Sequence, residues 1–299
     1  MPHFYRLYGL VAASDLQFPE LLPTESSIKP DIIIKYGDVP SDGLDGARKL
    51  GPFSFASSGK FWLSIPKVAR FQVSDGGEII VDPVPNIDED SIRVFLLGSC
   101  IGALLHQRGY LLLHGNAIEL EDGCLVCAGK SGIGKSTLAA AFLRQGHRIL
   151  ADDMAAIDEH DNAIPGFPRI KLWQDSAEKL QIDTSGLRRI RPEMEKYDYP
   201  LGASFHENPL PVKWVYIIET HKESGFSLKE IKGLDKYLPL RENTYRPRFM
   251  QGMKLEPSHL KLCGNLAGNI RLARIKRPQW GFEVEELAEF IKNDALNHR

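Results

Sequence analysis

A glycine-rich segment in the middle of the chain has the residue types and spacing of a phosphate-binding loop. It reads Gly129-Lys130-Ser131-Gly132-Ile133-Gly134-Lys135-Ser136-Thr137 and satisfies the pattern G-x-x-x-x-G-K-[ST]. Glycines permit a tight turn that points backbone N–H groups at phosphate oxygens, at the positive end of a helix. In such a loop Lys135 reaches the β- and γ-phosphates and the Ser136 hydroxyl ligates Mg²⁺. The motif predicts that the protein binds a nucleoside triphosphate or a similar phosphate donor.

The segments on either side of this loop predict how it is held. The apolar run 124–128 predicts a buried strand before the loop, and residues 138–143 predict a helix after it. Residues 110–120 predict another central strand, and 121–123 form a tight turn between the two strands. This hairpin would place His114 beside the loop, although a lone histidine in an apolar run is more often a hydrogen-bonded core residue. A doubly wound parallel NTPase has no hairpin at this point, so we expect a mixed sheet.

A pair of adjacent carboxylates could complete a site for phosphoryl transfer. Residues 149–153 predict a strand that ends in Asp152-Asp153. Neighbouring side chains on a strand point to opposite faces, so one aspartate could hold a metal while the other faces an acceptor hydroxyl. The alternative is a solvated turn between two strands.

Two basic segments are further candidates for binding an acidic or phosphorylated substrate. They are residues 188–191 and 241–248. The candidate residues are Arg189, Arg246 and Arg248, together with Lys196 from the charged stretch that follows the first segment. Arginine-rich segments of this kind are more often solvated loops.

Length and composition indicate a cytoplasmic protein of two domains. A chain of 299 residues corresponds to about two domains, which we place at residues 1–86, a β-rich module, and 87–299, the catalytic domain. The net charge of −2 argues against nucleic-acid binding. The four cysteines are too few for a disulfide framework, and Cys124 and Cys127 are interpreted as core residues of a strand. No signal pattern is present, and the longest apolar stretch, 94–105, is too short to span a membrane.

The central residues resemble the catalytic domain of HPr kinase/phosphorylase. The resemblance covers Leu113-His114-Gly115, the loop, and Gly146-His147-Arg148-Ile149-Leu150-Ala151-Asp152-Asp153. That family shares a fold with phosphoenolpyruvate carboxykinase and phosphorylates a serine of a protein. The resemblance implies that Asp152, paired with His114, deprotonates the acceptor serine. It also implies that Ser136 and Asp153 hold Mg²⁺, while Lys135 and the loop amides hold the phosphates of ATP.

Other parts of the chain are similar to HPr-kinase-like enzymes of peptide maturation, including lasso-peptide precursor kinases. The similarity lies in residues 5–10, 167–173 and 245–249. Those enzymes phosphorylate a serine of a short precursor peptide. The chain departs from the HPr kinase pattern at Thr137, where that family usually has Glu, and at 163–166, which lack its signature Glu and Arg.

We therefore expect an α/β fold: a phosphate-loop domain with a mixed sheet of the HPr kinase C-terminal or phosphoenolpyruvate carboxykinase type, plus the small β-rich module. The expected function is an ATP- and Mg²⁺-dependent kinase for a serine or threonine of a peptide or small protein. Two alternatives stay open: a bifunctional kinase/phosphorylase, and a nucleotide-gated binding module without turnover. No membrane or nucleic-acid partner is expected, and the family's tendency to oligomerise implies a homo-oligomer.

Overall fold

A computed structural model describes residues 1–26, 28–191 and 193–298 of the protein. The chain divides into two compact units. Unit 1 consists of Met1–Leu112 and Arg246–Lys261, and unit 2 consists of Leu113–Tyr245 and Leu262–Arg299. The domain boundary expected after residue 86 is a different partition of the chain and stays a prediction.

Strands make up most of the regular structure. In chain order they are β1 His3–Leu7, β2 Leu10–Ser14, β3 Leu22–Pro23, β4 Ile32–Tyr36, β5 Arg48–Gly51, β6 Ser54–Ser57, β7 Lys60–Ile65, β8 Ala69–Ser74, β9 Glu78–Pro83, β10 Leu111–Leu113, β11 Gly115–Leu120, β12 Gly123–Gly129, β13 Ile149–Ala151, β14 Ala155–Ile157, β15 Asn162–Ile164, β16 Arg169–Trp173, β17 Arg188–Arg189, β18 Lys196–Pro200, β19 Leu210–His221, β20 Ser227–Ile231 and β21 Arg271–Pro278.

The helices connect and flank these strands. They are α1 Glu89–Phe95, α2 Ile101–Gln107, α3 Lys135–Arg144, α4 Gln174–Lys179, α5 Tyr237–Glu242, α6 Pro247–Gly252, α7 Glu256–Asn269 and α8 Val284–Asn297. A π-helical turn, Leu96–Cys100, joins α1 to α2, and short 3₁₀ turns occur at Gly202–Ser204 and Gly233–Lys236. Within the described residues, no helix is both long enough and apolar enough to cross a membrane.

Unit 1 is built on a nine-stranded sheet in the order β3-β1-β2-β4-β9-β8-β7-β6-β5. Apolar and polar residues alternate along these strands, and every second residue of β8 is buried. This alternation gives the sheet one face that packs in the core. Strands β8 and β9 form a hairpin, in which Ser74 pairs with Glu78. Helix α6 lies where the sequence suggested only a basic loop, and its Phe249 ring lies 4.2 Å from that of Phe61 on β7. Burial of this phenylalanine explains why the segment folds as a helix.

Unit 2 carries the phosphate loop on a mixed sheet. Strand β12 pairs antiparallel with β11 and parallel with β19, and β19 pairs parallel with β21. The predicted hairpin is confirmed by the register of β11 and β12, in which Gly115 faces Ala128. The predicted α/β class, with a mixed sheet beside the loop and a β-rich N-terminal region, is also confirmed.

The strand expected over residues 110–120 is interrupted at His114. The His114 N–H donates to the carbonyl of Asn243 at 2.7 Å. The hairpin strand β11 therefore begins only at the next residue, Gly115. This residue must be glycine, because a Cβ on Gly115 would lie 2.5 Å from the carbonyl oxygen of Cys127. Strand β12 therefore packs directly against the backbone that follows His114.

The cysteines occupy core positions, as expected. Cys100, Cys124, Cys127 and Cys263 are all buried free thiols. Burial raises the pKa of Cys124 to about 12, so this thiol stays protonated and behaves as a small apolar side chain. The interpretation of Cys124 and Cys127 as core residues of β12 is confirmed.

Candidate functional site: the phosphate loop and its carboxylates

The glycine-rich loop has the backbone geometry that anion binding requires. It connects β12 to α3, and Gly132 and Gly134 adopt φ values of 80° and 96°, where a side chain would be strained. Gly134 precedes the first turn of α3, and no described side chain caps that helix. The N–H groups at the start of α3 are therefore available for an anion, at the positive end of the helix dipole.

Lys135 is held at the mouth of the loop by backbone carbonyls. Its Nζ donates to the carbonyl oxygens of Gly129 at 2.8 Å and Lys130 at 2.9 Å. Burial lowers the pKa of Lys135 to about 8, although the neighbouring Asp153 and Asp152 act in the opposite direction. The ammonium is thus poised over the loop, where a phosphate oxygen would stabilise its charged form.

Ser136 faces Asp152. The Ser136 hydroxyl donates to the Asp152 carboxylate, with Oγ–O distances of 2.9 and 3.2 Å. The Lys171 backbone N–H also donates to Oδ2 of Asp152 at 2.9 Å, which fixes the carboxylate plane. Burial, and then the charge of Asp153, raise the pKa of Asp152. The half-buried Ser136 hydroxyl and the buried Asp152 carboxylate are the hard oxygen donors that Mg²⁺ prefers.

The donor set fits a magnesium ion that also uses substrate oxygens. Among the described residues there is no group of three or more His, Cys, Asp or Glu side chains that could hold a metal by themselves. Mg²⁺ is commonly bound through one or two carboxylates together with water and substrate phosphates. Ser136 and Asp152 are the residues that would contribute to such a site.

Asp153 faces His114 and Lys171 instead of Ser136. Its Oδ1 lies 3.4 Å from Nδ1 of His114, and its Oδ2 lies 3.6 Å from Nζ of Lys171. The carbonyl oxygen of Asp153 is 2.9 Å from the same histidine nitrogen. Burial opposes ionisation of Asp153, but the charges of Lys171, His114, Lys196 and Lys135 together hold its pKa below the usual range. Asp153 is consequently an ionised carboxylate that remains partly open to solvent.

His114 links the hairpin to both the loop and the carboxylates. Its carbonyl accepts a hydrogen bond from the Gly129 N–H at 3.3 Å, and its ring lies 5.7 Å from that of Tyr245. Burial, and then the charge of Lys135, lower its pKa. The imidazole is therefore neutral at physiological pH and can exchange a hydrogen bond with Asp153.

This arrangement differs from the expected one in two ways. Strand β13 ends at Ala151, and Asp153 adopts φ 74°, so the two aspartates are not consecutive positions of an extended strand. The rule that strand neighbours point to opposite faces therefore does not apply to them. The partners of the two aspartates are also exchanged. His114 was expected beside Asp152 but lies beside Asp153. Ser136 was expected to share a metal with Asp153 but contacts Asp152.

The other candidate residues lie at several places. Thr137 contacts Ser176 of α4, with an Oγ1–Oγ distance of 3.1 Å. Arg189 and Lys196 lie on the small sheet β16-β18-β17, where Lys196 packs over the Trp173 ring at 5.3 Å and adds positive charge near Asp153. Arg246 and Arg248 belong to unit 1, and Arg246 packs over the Phe249 ring at 5.4 Å.

Three residues of the site are not apparent from the loop motif. Lys171 contacts Asp152 through its backbone N–H and Asp153 through its ammonium. Asn116 of β11 donates to the Lys135 carbonyl. Arg277 donates to the Ile133 carbonyl at 3.0 Å. Asn116 follows His114 by two residues in the hairpin, so its position could be inferred from the pattern. Lys171 and Arg277 come close only through tertiary packing.

Comparison with known proteins finds similarity over the same central part of the chain. Residues 108–173 match the family model of the HPr Serine kinase C-terminal domain. An HPr kinase/phosphorylase of Clostridium botulinum is 37% identical over 95 residues, which is 31% of this chain and 31% of that protein. The HPr kinase/phosphorylase of Chloroherpeton thalassium is 26% identical over 121 residues, 36% of each chain. The matched region thus spans about a third of the length of these curated relatives.

Among solved structures, the Hpr(Ser) kinase/phosphatase from Coxiella burnetii aligns with 63% of this chain and 95% of its own. That alignment has 14% sequence identity and a TM-score of 0.34. The family model and the curated relatives support an HPr kinase-like fold around the loop, the hairpin and the two aspartates.

Proposed function

We propose that this protein transfers the γ-phosphoryl group of ATP to a serine or threonine hydroxyl of a peptide or small protein, in the presence of Mg²⁺. The observation that carries the proposal is the paired arrangement at the loop: Ser136 against Asp152, and His114 against Asp153. Phosphoryl transfer needs charge neutralisation on one side of the phosphate and a base near the acceptor on the other. The two pairs provide one group of residues for each task.

The loop side binds and neutralises the phosphates. The N–H groups at the start of α3 and the ammonium of Lys135 would contact the β- and γ-phosphate oxygens. Ser136 and Asp152 would hold Mg²⁺, which supplies further neutralisation of the charge that develops on the phosphates. Lys171 keeps Asp152 in place through its backbone N–H.

The acceptor side depends on Asp153. Its low pKa keeps it ionised, so the carboxylate can accept the proton of an attacking hydroxyl. His114 orients this carboxylate, since its Nδ1 lies 3.4 Å from Oδ1 of Asp153. We therefore assign the base role to Asp153 and the metal role to Asp152, which exchanges the roles implied by the sequence resemblance.

The acceptor class rests on the relatives and on the surroundings of Asp153. The matching family model is that of an HPr Serine kinase, and the matching proteins are named HPr kinase/phosphorylase. By analogy, we propose that the acceptor of this chain is a serine of a small protein or of a peptide. Lys171 and Lys196 surround Asp153 with positive charge, which would favour an acceptor with acidic residues near its hydroxyl.

A bifunctional kinase/phosphorylase is the second candidate, because the relatives carry both activities in their names. Incubation of phosphorylated product with inorganic phosphate distinguishes the two. Release of pyrophosphate would indicate the phosphorylase, and its absence would indicate a kinase alone. The remaining alternative, a nucleotide-gated binding module, predicts ATP-dependent capture of a partner without phosphate incorporation.

Mass spectrometry of candidate acceptors after incubation with ATP and Mg²⁺ tests the proposal directly. The candidates are peptides and small proteins encoded beside the gene. We expect one added phosphate on serine or threonine, lost in Lys135→Ala. ATP binding without phosphate on any candidate, including added HPr protein, would contradict the kinase proposal.

The pH dependence of nucleotide affinity tests the position of Lys135. In the free protein its pKa is about 8, and adjacent phosphate stabilises the charged form, so the pKa rises on binding. Affinity should therefore be at its full value below pH 8 and fall above it, approaching about tenfold per pH unit. Titration with ATP between pH 7 and 9.5 measures this. Lys135→Met should bind more weakly with a flat profile, and an unchanged slope in that variant would contradict the assignment.

A further inference from the structure

A cleft of about 260 Å³ opens beside the phosphate loop, on unit 2, and none of the proposed catalytic steps uses its outer part. Its inner wall consists of the loop and the start of α3, including Gly134, Lys135 and Thr137. Its outer wall contains three aromatic residues, Phe226, Trp280 and Phe282. The cleft therefore joins the phosphate-binding backbone to an aromatic surface.

The aromatic wall is exposed to an extent that is unusual for such side chains. Trp280 is 60% exposed and Phe282 is 39% exposed. Lys179 of α4 lies over the Phe282 ring, with Nζ 5.3 Å from its centroid, and Phe226 packs 5.5 Å from Phe290 of α8. The wall thus has partly exposed rings, of which Phe282 is also covered by Lys179, and exposed aromatic rings are suited to stacking with a planar group.

The aromatic wall is also fixed relative to the loop. Arg277, at the end of β21, donates from Nη2 to the Ile133 carbonyl at 3.0 Å and from Nη1 to the Pro278 carbonyl at 2.9 Å. The Gln279 N–H donates to the His221 carbonyl at 2.9 Å, which ties the following segment to β19. A ligand that reaches from the loop into the cleft would therefore contact the loop at one end and the aromatic wall at the other, and hydrogen bonds of residues 277–279 connect the two.

We propose that the base of the nucleoside triphosphate lies in this cleft, stacked on Trp280 and Phe282. The inference rests on the proposed function, because phosphates held by Lys135 and α3 require the nucleoside to extend from the loop. A nucleobase has two aromatic faces and stacks on exposed aromatic side chains whatever its edge groups. Trp280 and Phe282 lie in the C-terminal segment of the chain, outside the region 108–173 that matches the family model.

The test compares ATP with inorganic tripolyphosphate, which lacks the base and ribose. Affinities for both, with Mg²⁺, are measured by calorimetry for the unaltered protein and for Trp280→Ala, Phe282→Ala and Lys135→Ala. Trp280→Ala should weaken ATP binding about tenfold and leave tripolyphosphate unchanged. Phe282→Ala should act in the same direction. Phe53→Ala, which removes an aromatic residue 46% exposed on unit 1, is the matched control and should change neither affinity.

The outcomes separate this inference from the proposed function. Loss of both affinities in Lys135→Ala, with ATP affinity unchanged in Trp280→Ala and Phe282→Ala, would overturn the base site and leave the phosphate loop intact. Failure of the unaltered protein to bind either ligand would overturn the proposed function and the base site together. Equal weakening of ATP and tripolyphosphate in Trp280→Ala would show that the tryptophan supports the loop instead of the base, and would also overturn the inference.

Discussion

Asp153→Asn is expected to slow phosphate transfer to the acceptor by about 10³-fold, while ATP binding changes little. The amide cannot accept the hydroxyl proton, and general-base catalysis typically contributes 10²–10⁴-fold. ATP affinity should persist because Asp153 contacts His114 and Lys171, whereas Ser136 contacts Asp152. The measurement is the initial rate of phosphate incorporation into the acceptor found by mass spectrometry, with calorimetric ATP affinity alongside.

Asp152→Asn is the matched comparison, since it makes the same chemical change one residue away. We expect it to raise the Mg²⁺ concentration needed for half-maximal activity and to weaken ATP binding in the presence of Mg²⁺. The roles implied by the sequence resemblance predict the reverse, with loss of transfer in Asp152→Asn and the metal effect in Asp153→Asn. Equal effects of both substitutions on transfer and on Mg²⁺ dependence would contradict the division of roles.

The loop and the hairpin could be predicted because local sequence determines them. The spacing of Gly129, Gly134 and Lys135 defines a turn and a helix start, and the turn at 121–123 leaves only one register for β11 and β12. The partners of the two aspartates could not be predicted in the same way. Their directions depend on the φ of 74° at Asp153, and sequence patterns give no signal for a left-handed aspartate after a strand.

Tertiary packing determines the remaining parts of the site. Lys171 lies on β16, and only the packing of that strand brings its N–H to Asp152 and its ammonium to Asp153. The same applies to Trp280, because an isolated tryptophan carries no motif in the sequence. Lys196 was a candidate through its charge alone, and its influence on Asp153 follows from the pairing of β18 with β16.

Arg169→Met is expected to reduce the free energy of unfolding by about 3 kcal/mol, the low end for breaking a buried ion pair. The Arg169 guanidinium pairs with the Asp198 carboxylate across β16 and β18, and the two side chains are only 7% and 10% exposed. Methionine retains much of the apolar stem but leaves the buried Asp198 carboxylate with the more exposed Arg188 as its partner. Chemical denaturation, followed by circular dichroism and by tryptophan fluorescence, measures the change.

Arg188→Met provides a matched control on the same carboxylate. Arg188 contacts Asp198 at 2.8 Å but is 32% exposed, so its removal should cost about 1 kcal/mol or less. Adding Asp198→Asn to Arg169→Met should restore part of the lost stability, because it removes a buried charge that has lost its more buried partner. Equal costs for the two arginines, or no recovery in the double variant, would contradict a buried pair as the cause. Because β16 also carries Lys171, loss of this pair should reduce the order of the strand that holds Asp152 and thereby weaken Mg²⁺-dependent ATP binding.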